Sequence, residues 1–94
     1  MYHQLYPNDT PENRAAFLND WIRVKFRKNT QPYYKMSAKT ITVNFTRLEC
    51  EVTQDQMIEA FSNNGFCVFK KDGNTYFDIS PESSGIKEIR DSWN

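Results

Sequence analysis

Hydrophobic and polar positions along this chain repeat with two different periods. From Thr10 to Phe26 the apolar residues Phe17, Leu18, Trp21, Ile22 and Phe26 recur at helical spacings, which gathers them on one stripe of an α-helix. Thr10 suits the cap, Pro11 fits a first turn where an N–H has no intrahelical partner, and Glu12 meets the positive end of the dipole. The pattern predicts a helix over 11–29, with Trp21 and Phe26 in the core and Arg27 and Lys28 in the last turn, where cations are favoured.

A second helix is specified at both ends. Thr53 and Gln56 form a capping box, Val52 and Met57 occupy the positions of a hydrophobic staple, and Asp55 stands in the first turn. Met57, Ile58 and Phe61 share a face, and Gly65 after Asn63 and Asn64 supplies the left-handed residue that ends many helices. A helix over 53–64 follows. Beyond it the period falls to two, and Asp72-Gly73 suits a two-residue type I′ turn. That turn sets a hairpin over 66–79 in which Lys71 faces Asn74, Lys70 faces Thr75, Phe69 faces Tyr76, Val68 faces Phe77, Cys67 faces Asp78 and Phe66 faces Ile79. Phe66, Val68, Phe77 and Ile79 then form the core face, and Cys67, Phe69, Tyr76 and Asp78 a mixed, wetter one.

Residues 37–51 carry both periods. Ile41, Val43 and Phe45 alternate with Thr40, Thr42 and Asn44 as in a strand, while Ala38, Ile41, Phe45 and Leu48 behind a Ser37 cap form a helical stripe. Periodicity leaves the two readings open. In the tail, Ser80-Pro81-Glu82 suits a helix start, and Ile86, Ile89 and Trp93 predict a short C-terminal helix docking through Trp93, with Gly85 weakening its first turn. The expectation is one α+β domain over 1–94, with residues 1–9 frayed.

The chain has 94 residues, enough for a single modest core. Its formal net charge is zero, yet the charges are segregated. Between Trp21 and Leu48 lie Arg23, Lys25, Arg27, Lys28, Lys35, Lys39 and Arg47 with no Asp or Glu, whereas Glu49, Glu51, Asp55 and Glu59 stand without Lys or Arg as far as Phe69. No apolar run is long enough to span a bilayer, and MYHQLYPNDT lacks the regions of a signal peptide. The expected protein is soluble and cytoplasmic, with Cys50 and Cys67 as reduced structural thiols and the Asn8 and Asn44 sequons as chance matches.

No catalytic constellation stands out. His3 has no partner that sequence can name, the pairs Glu49/Glu51 and Asp55/Glu59 read as solvated charges, and Gly65, Gly73 and Gly85 are isolated rather than a phosphate-binding loop. The expectation is not an enzyme, with no metal and no cofactor. The aromatic and basic residues from Trp21 to Arg47 suit a surface that tracks phosphates and stacks on bases. Tyr33 and Tyr34, in a loop after Pro32, are the candidates for exposed contact.

With 37–48 as a helix, the order helix, helix, short turn through Glu49 to Val52, helix and hairpin resembles a winged helix-turn-helix. The resemblance covers residues 37–80 and rests on Ile58, Phe61, Gly65, Phe66 and Val68, then Asp72-Gly73 and Tyr76 to Ser80. It implies that Gln54 and Gln56 face the major groove and that Lys70, Lys71 and Asn74 touch the DNA from the wing. The candidate recognition helix carries no Lys or Arg, and Asp55 and Glu59 would approach phosphates. With 39–46 as a strand, the chain instead resembles a truncated RNA-recognition motif, in which Ile41 to Phe45 and Asp72 to Ile79 take the places of the two sheet motifs.

The expected function is a small non-enzymatic module of winged-helix type that binds nucleic acid, duplex DNA first and single-stranded RNA second. Its candidate contacts are Gln54, Gln56, Lys70, Lys71 and Asn74 together with Arg23, Arg27, Lys28, Tyr33, Tyr34, Lys35, Lys39 and Arg47. Accessory factors of phages and mobile elements offer an analogy for so small a domain. The alternative is a protein-interaction module, an inhibitor, adaptor or structural subunit, that uses the acidic helix and the aromatic hairpin face.

Overall fold

The computed structural model describes residues 10–93. The expectations for His3, the Asn8 sequon and residues 1–9 lie outside the described residues. The chain forms a small α+β domain in the order α1 (Pro11–Lys25), α2 (Ala38–Leu48), α3 (Gln54–Asn63), β1 (Val68–Lys71), β2 (Asn74–Phe77) and α4 (Ser84–Asp91). Among the described residues no helix is long and apolar enough to cross a membrane.

Thr10 caps α1 as expected, its hydroxyl accepting from the Asn13 N–H at 3.1 Å. The helix ends four residues earlier than its periodicity suggests. Phe26 turns into extended backbone yet stays buried, and the residues after it run beside the hairpin. Lys28 forms an antiparallel bridge with Ile79, the Ser80 N–H donates to the Arg27 carbonyl at 2.7 Å, and the Asn29 N–H donates to the Asp78 carbonyl at 2.8 Å. Arg27 and Lys28 therefore do not occupy a last helical turn. Long-range partners satisfy backbone groups there that a continued helix would have satisfied locally.

Residues 38–48 are helical. Ser37 caps them, its hydroxyl accepting from the Thr40 N–H at 3.2 Å, and Ala38, Ile41 and Phe45 are fully buried while Val43 points outward. The strand reading would have put Val43 on the same face as Ile41 and Phe45. Two buried polar residues fit because the helix gives them acceptors. Thr42 Oγ1 donates to the Ala38 carbonyl and Asn44 Nδ2 to the Thr40 carbonyl, each at 2.8 Å.

The α3 signals hold as read. Thr53 Oγ1 accepts from the Gln56 N–H at 3.1 Å, Gln56 Oε1 accepts from the Thr53 N–H at 2.8 Å, and Val52 and Met57 are buried. Gly65 leaves the helix at φ +87°. A Cβ placed there would come within 2.6 Å of Lys28 Nζ, so the ammonium lies at the C-terminal end of α3, a favourable place for a cation.

The hairpin keeps the expected register from Val68↔Phe77 to Lys71↔Asn74, and Asp72 and Gly73 both take positive φ, as a type I′ turn requires. The two outer rungs do not form. The Cys67 N–H donates to the Asp78 carboxylate at 2.8 Å, and Asp78 and Ile79 give their backbones to residues 28 and 29. Asp78 is consequently buried, not wet, while Val68, expected in the core, is exposed.

The last helix starts at Ser84 rather than at Ser80-Pro81-Glu82. Ile86 and Ile89 are fully buried, whereas Trp93 remains half exposed, with its indole N–H donating to Asn44 Oδ1 at 2.8 Å. Between α1, α2, α3 and the hairpin lies an aromatic core. Trp21 meets Phe45 with ring centroids 4.7 Å apart and Phe26 at 5.0 Å, Phe26 meets Phe61 at 5.3 Å, and Phe61 stacks on Phe77 at 4.2 Å. No disulfide joins Cys50 and Cys67.

Candidate functional site

The tip and outer face of the hairpin gather exposed cations, the exposed ring of Tyr34 and the partly buried rings of Phe69 and Tyr76. Because paired residues of an antiparallel ladder share a face, Phe69, Lys71, Asn74 and Tyr76 lie together. Their opposite face buries Thr75 and Phe77. Tyr34 joins the outer face from the loop before α2. Its ring meets Tyr76 edge to face at 5.0 Å, and Lys71 Nζ lies 4.5 Å from its centroid. Lys70 is exposed at the tip, and Lys35 and Lys39 are exposed just after Tyr34. Among the described residues no carboxylate pairs with Lys35, Lys39, Lys70 or Lys71.

The two candidate tyrosines part company. Tyr33, expected to be exposed, is buried: its N–H donates to the Phe77 carbonyl at 2.9 Å, and its hydroxyl accepts from Arg90 Nη2 at 2.6 Å. Tyr34 is 47% exposed. Anchoring Tyr33 fixes the backbone from which Tyr34 projects, so the exposed ring is held in place rather than free.

Other candidates serve the fold. Arg23 pairs with Asp20 at 2.6 Å on the surface, Arg27 lies 3.9 Å from Glu82, and Lys28 belongs to the end of α3. Arg47 Nη2 donates to Asn44 Oδ1 and to Ser92 Oγ, which ties α2 to the residues just beyond α4. Gln56 uses its carbonyl oxygen in the capping box, so bidentate reading of an adenine edge would require breaking the cap. Gln54 is exposed at the start of α3, beside exposed Asp55 and Glu59. Phe69 and Tyr76 share the outer face of the hairpin but are not among the sequence candidates; their register opposite each other, on the face of Lys71, is the signal that marks them.

A notch of about 210 Å3 lies between α1 and α3, with Leu18, Asn19, Val52, Gln56, Glu59 and Asn63 among its lining residues. It is smaller than the roughly 300–1,000 Å3 of ordinary small-molecule sites. Among the described residues no three His, Cys, Asp or Glu side chains form a metal-binding group. Comparison with protein-family models, with curated proteins and with solved structures gives no match.

Proposed function

We propose that this domain is a nucleic-acid-binding module of winged-helix type in which the hairpin, rather than α3, leads. The observation that carries the reading is the distribution of unneutralised charge. Lys35, Lys39, Lys70 and Lys71 are exposed without carboxylate partners among the described residues, while the open side of α3 presents Asp55 and Glu59. Cations not neutralised by a carboxylate release counterions from phosphates on binding, and an acidic helix entering a groove would be repelled. In this reading the lysines contact phosphates and the module shows modest sequence preference.

The test is fluorescence anisotropy of labelled duplex DNA and single-stranded RNA at low and near-physiological salt. The wild-type protein is expected to bind with steep salt dependence. Replacing Lys70 and Lys71 by Ala should weaken binding to all sequences and reduce the slope of log K against log salt by about 1 for each phosphate that is no longer neutralised. Equal affinity in the double variant, or no binding at low salt, refutes the reading. The exposed acids Glu51, Asp55 and Glu59 favour a second reading, a module that binds a basic protein surface. It gains support if nucleic acid fails to bind and replacing Asp55 and Glu59 abolishes capture of a purified partner.

A further inference from the structure

We infer that the outer face of the hairpin is a stacking platform for an unpaired base, so that the module's preferred ligand is single-stranded nucleic acid or a single-stranded extension. This deepens the proposed function and rests on it. The lysines of the tip explain attraction to any polyanion; they do not explain the rings. Tyr34, Tyr76 and Phe69 stand on one surface of the hairpin, the face turned away from the core, where a solvated protein ordinarily places polar side chains. Tyr34 is held outward by the buried neighbour Tyr33, whose backbone and hydroxyl are both bonded. The ring is therefore presented at little ordering cost, which is what a stacking contact needs.

The charges fit the same occupant. Lys71 covers part of Tyr34 through a cation–π contact, with Nζ 4.5 Å from the centroid. A base arriving on that ring displaces the ammonium by a short swing of a flexible chain, and the phosphate beside the base receives it. Lys35 follows Tyr34 in the chain and is exposed, and Asn74 shares the face of the rings with an amide able to meet a base edge. Asp72 is the carboxylate at the tip, while Asp78 is turned inward onto the Cys67 N–H. In a duplex the base faces are hidden by stacking, and only edges and backbone are offered. Rings at this position gain a partner only when a base is unpaired.

The test compares three labelled probes of equal length, single-stranded DNA, single-stranded RNA and blunt duplex DNA, against the wild-type protein and the variants Tyr34→Leu and Tyr34→Phe. The expected result is tighter binding of single strands than of the blunt duplex. Tyr34→Leu should lose about tenfold in single-strand affinity, Tyr34→Phe should retain it because the ring remains, and duplex binding should change little in either. A difference between the DNA and RNA strands identifies which single strand is preferred. Undiminished single-strand binding by Tyr34→Leu, with duplex binding still dependent on Lys70 and Lys71, overturns the platform and leaves the proposed function standing. Absence of binding to every probe at low salt overturns both.

Discussion

Replacing Gly85 by Ala sets two opposed effects against each other, and the structure decides which prevails. Gly85 lies in the first turn of α4. On helix propensity alone, alanine would stabilise the domain by about 0.8–1 kcal/mol. An added Cβ, however, would stand 2.5 Å from two atoms of the Phe26 ring and 3.0 Å from a third, where carbon contacts normally settle at about 3.5–4.0 Å. The ring would have to shift by about 1 Å, and it already packs against Trp21 and Phe61, at centroid distances of 5.0 and 5.3 Å. Overpacking of this kind costs about 1–3 kcal/mol. The net expectation is a loss of up to about 2 kcal/mol, or a fall in melting temperature of up to roughly 15 °C for a domain of this size. Thermal unfolding followed by circular dichroism measures it, and the double variant with Phe26→Leu should show positive coupling because the smaller side chain relieves the clash. A melting temperature equal to or above that of the wild-type protein would refute the argument, since the ring would then have moved at no cost.

Thr53→Ala removes one arm of the capping box and should destabilise the domain by about 1 kcal/mol in urea unfolding without altering the m-value. Gly65→Val forces a β-branched residue to φ +87° and pushes Lys28 Nζ away from the end of α3; a loss of roughly 2 kcal/mol or more is expected, and an unchanged unfolding midpoint would contradict the backbone assignment.

What could be read from the chain was what neighbouring residues decide among themselves. The capping box of Thr53 and Gln56, the turn at Asp72-Gly73 and the four central rungs of the hairpin depend on a few adjacent positions. The end of α1 does not. Phe26 continues the helical stripe, and only the partners at Asp78, Ile79 and Ser80 draw residues 27–29 away from the helix. The ambiguity over 37–48 was resolved by burial, which needed the core to place Val43 outside it. Gly85 reads as a weak helix start until Phe26 is placed against it. The candidate site was legible in part for the same reason. Lys70, Lys71 and Asn74 follow from the hairpin register, but nothing adjacent distinguishes Tyr33, bonded to Phe77 and Arg90, from Tyr34, which faces outward.

The edge contacts that hold residues 27–29 against the hairpin have a consequence for how the chain is made. The Arg27 N–H finds its acceptor, Ser83 Oγ, 56 residues later, and Lys25 finds Glu88 after 63. On a ribosome adding about 5–20 residues per second, the first of those separations takes roughly 3–11 s to cross. Throughout that interval α1 can form but its cover stays incomplete, because α4, whose Gly85 seats against the Phe26 ring, has yet to be synthesised. Each nascent copy therefore keeps the side of Phe26 that meets Gly85 bare until α4 appears, and crowding of such copies on one messenger raises the hazard of aggregation.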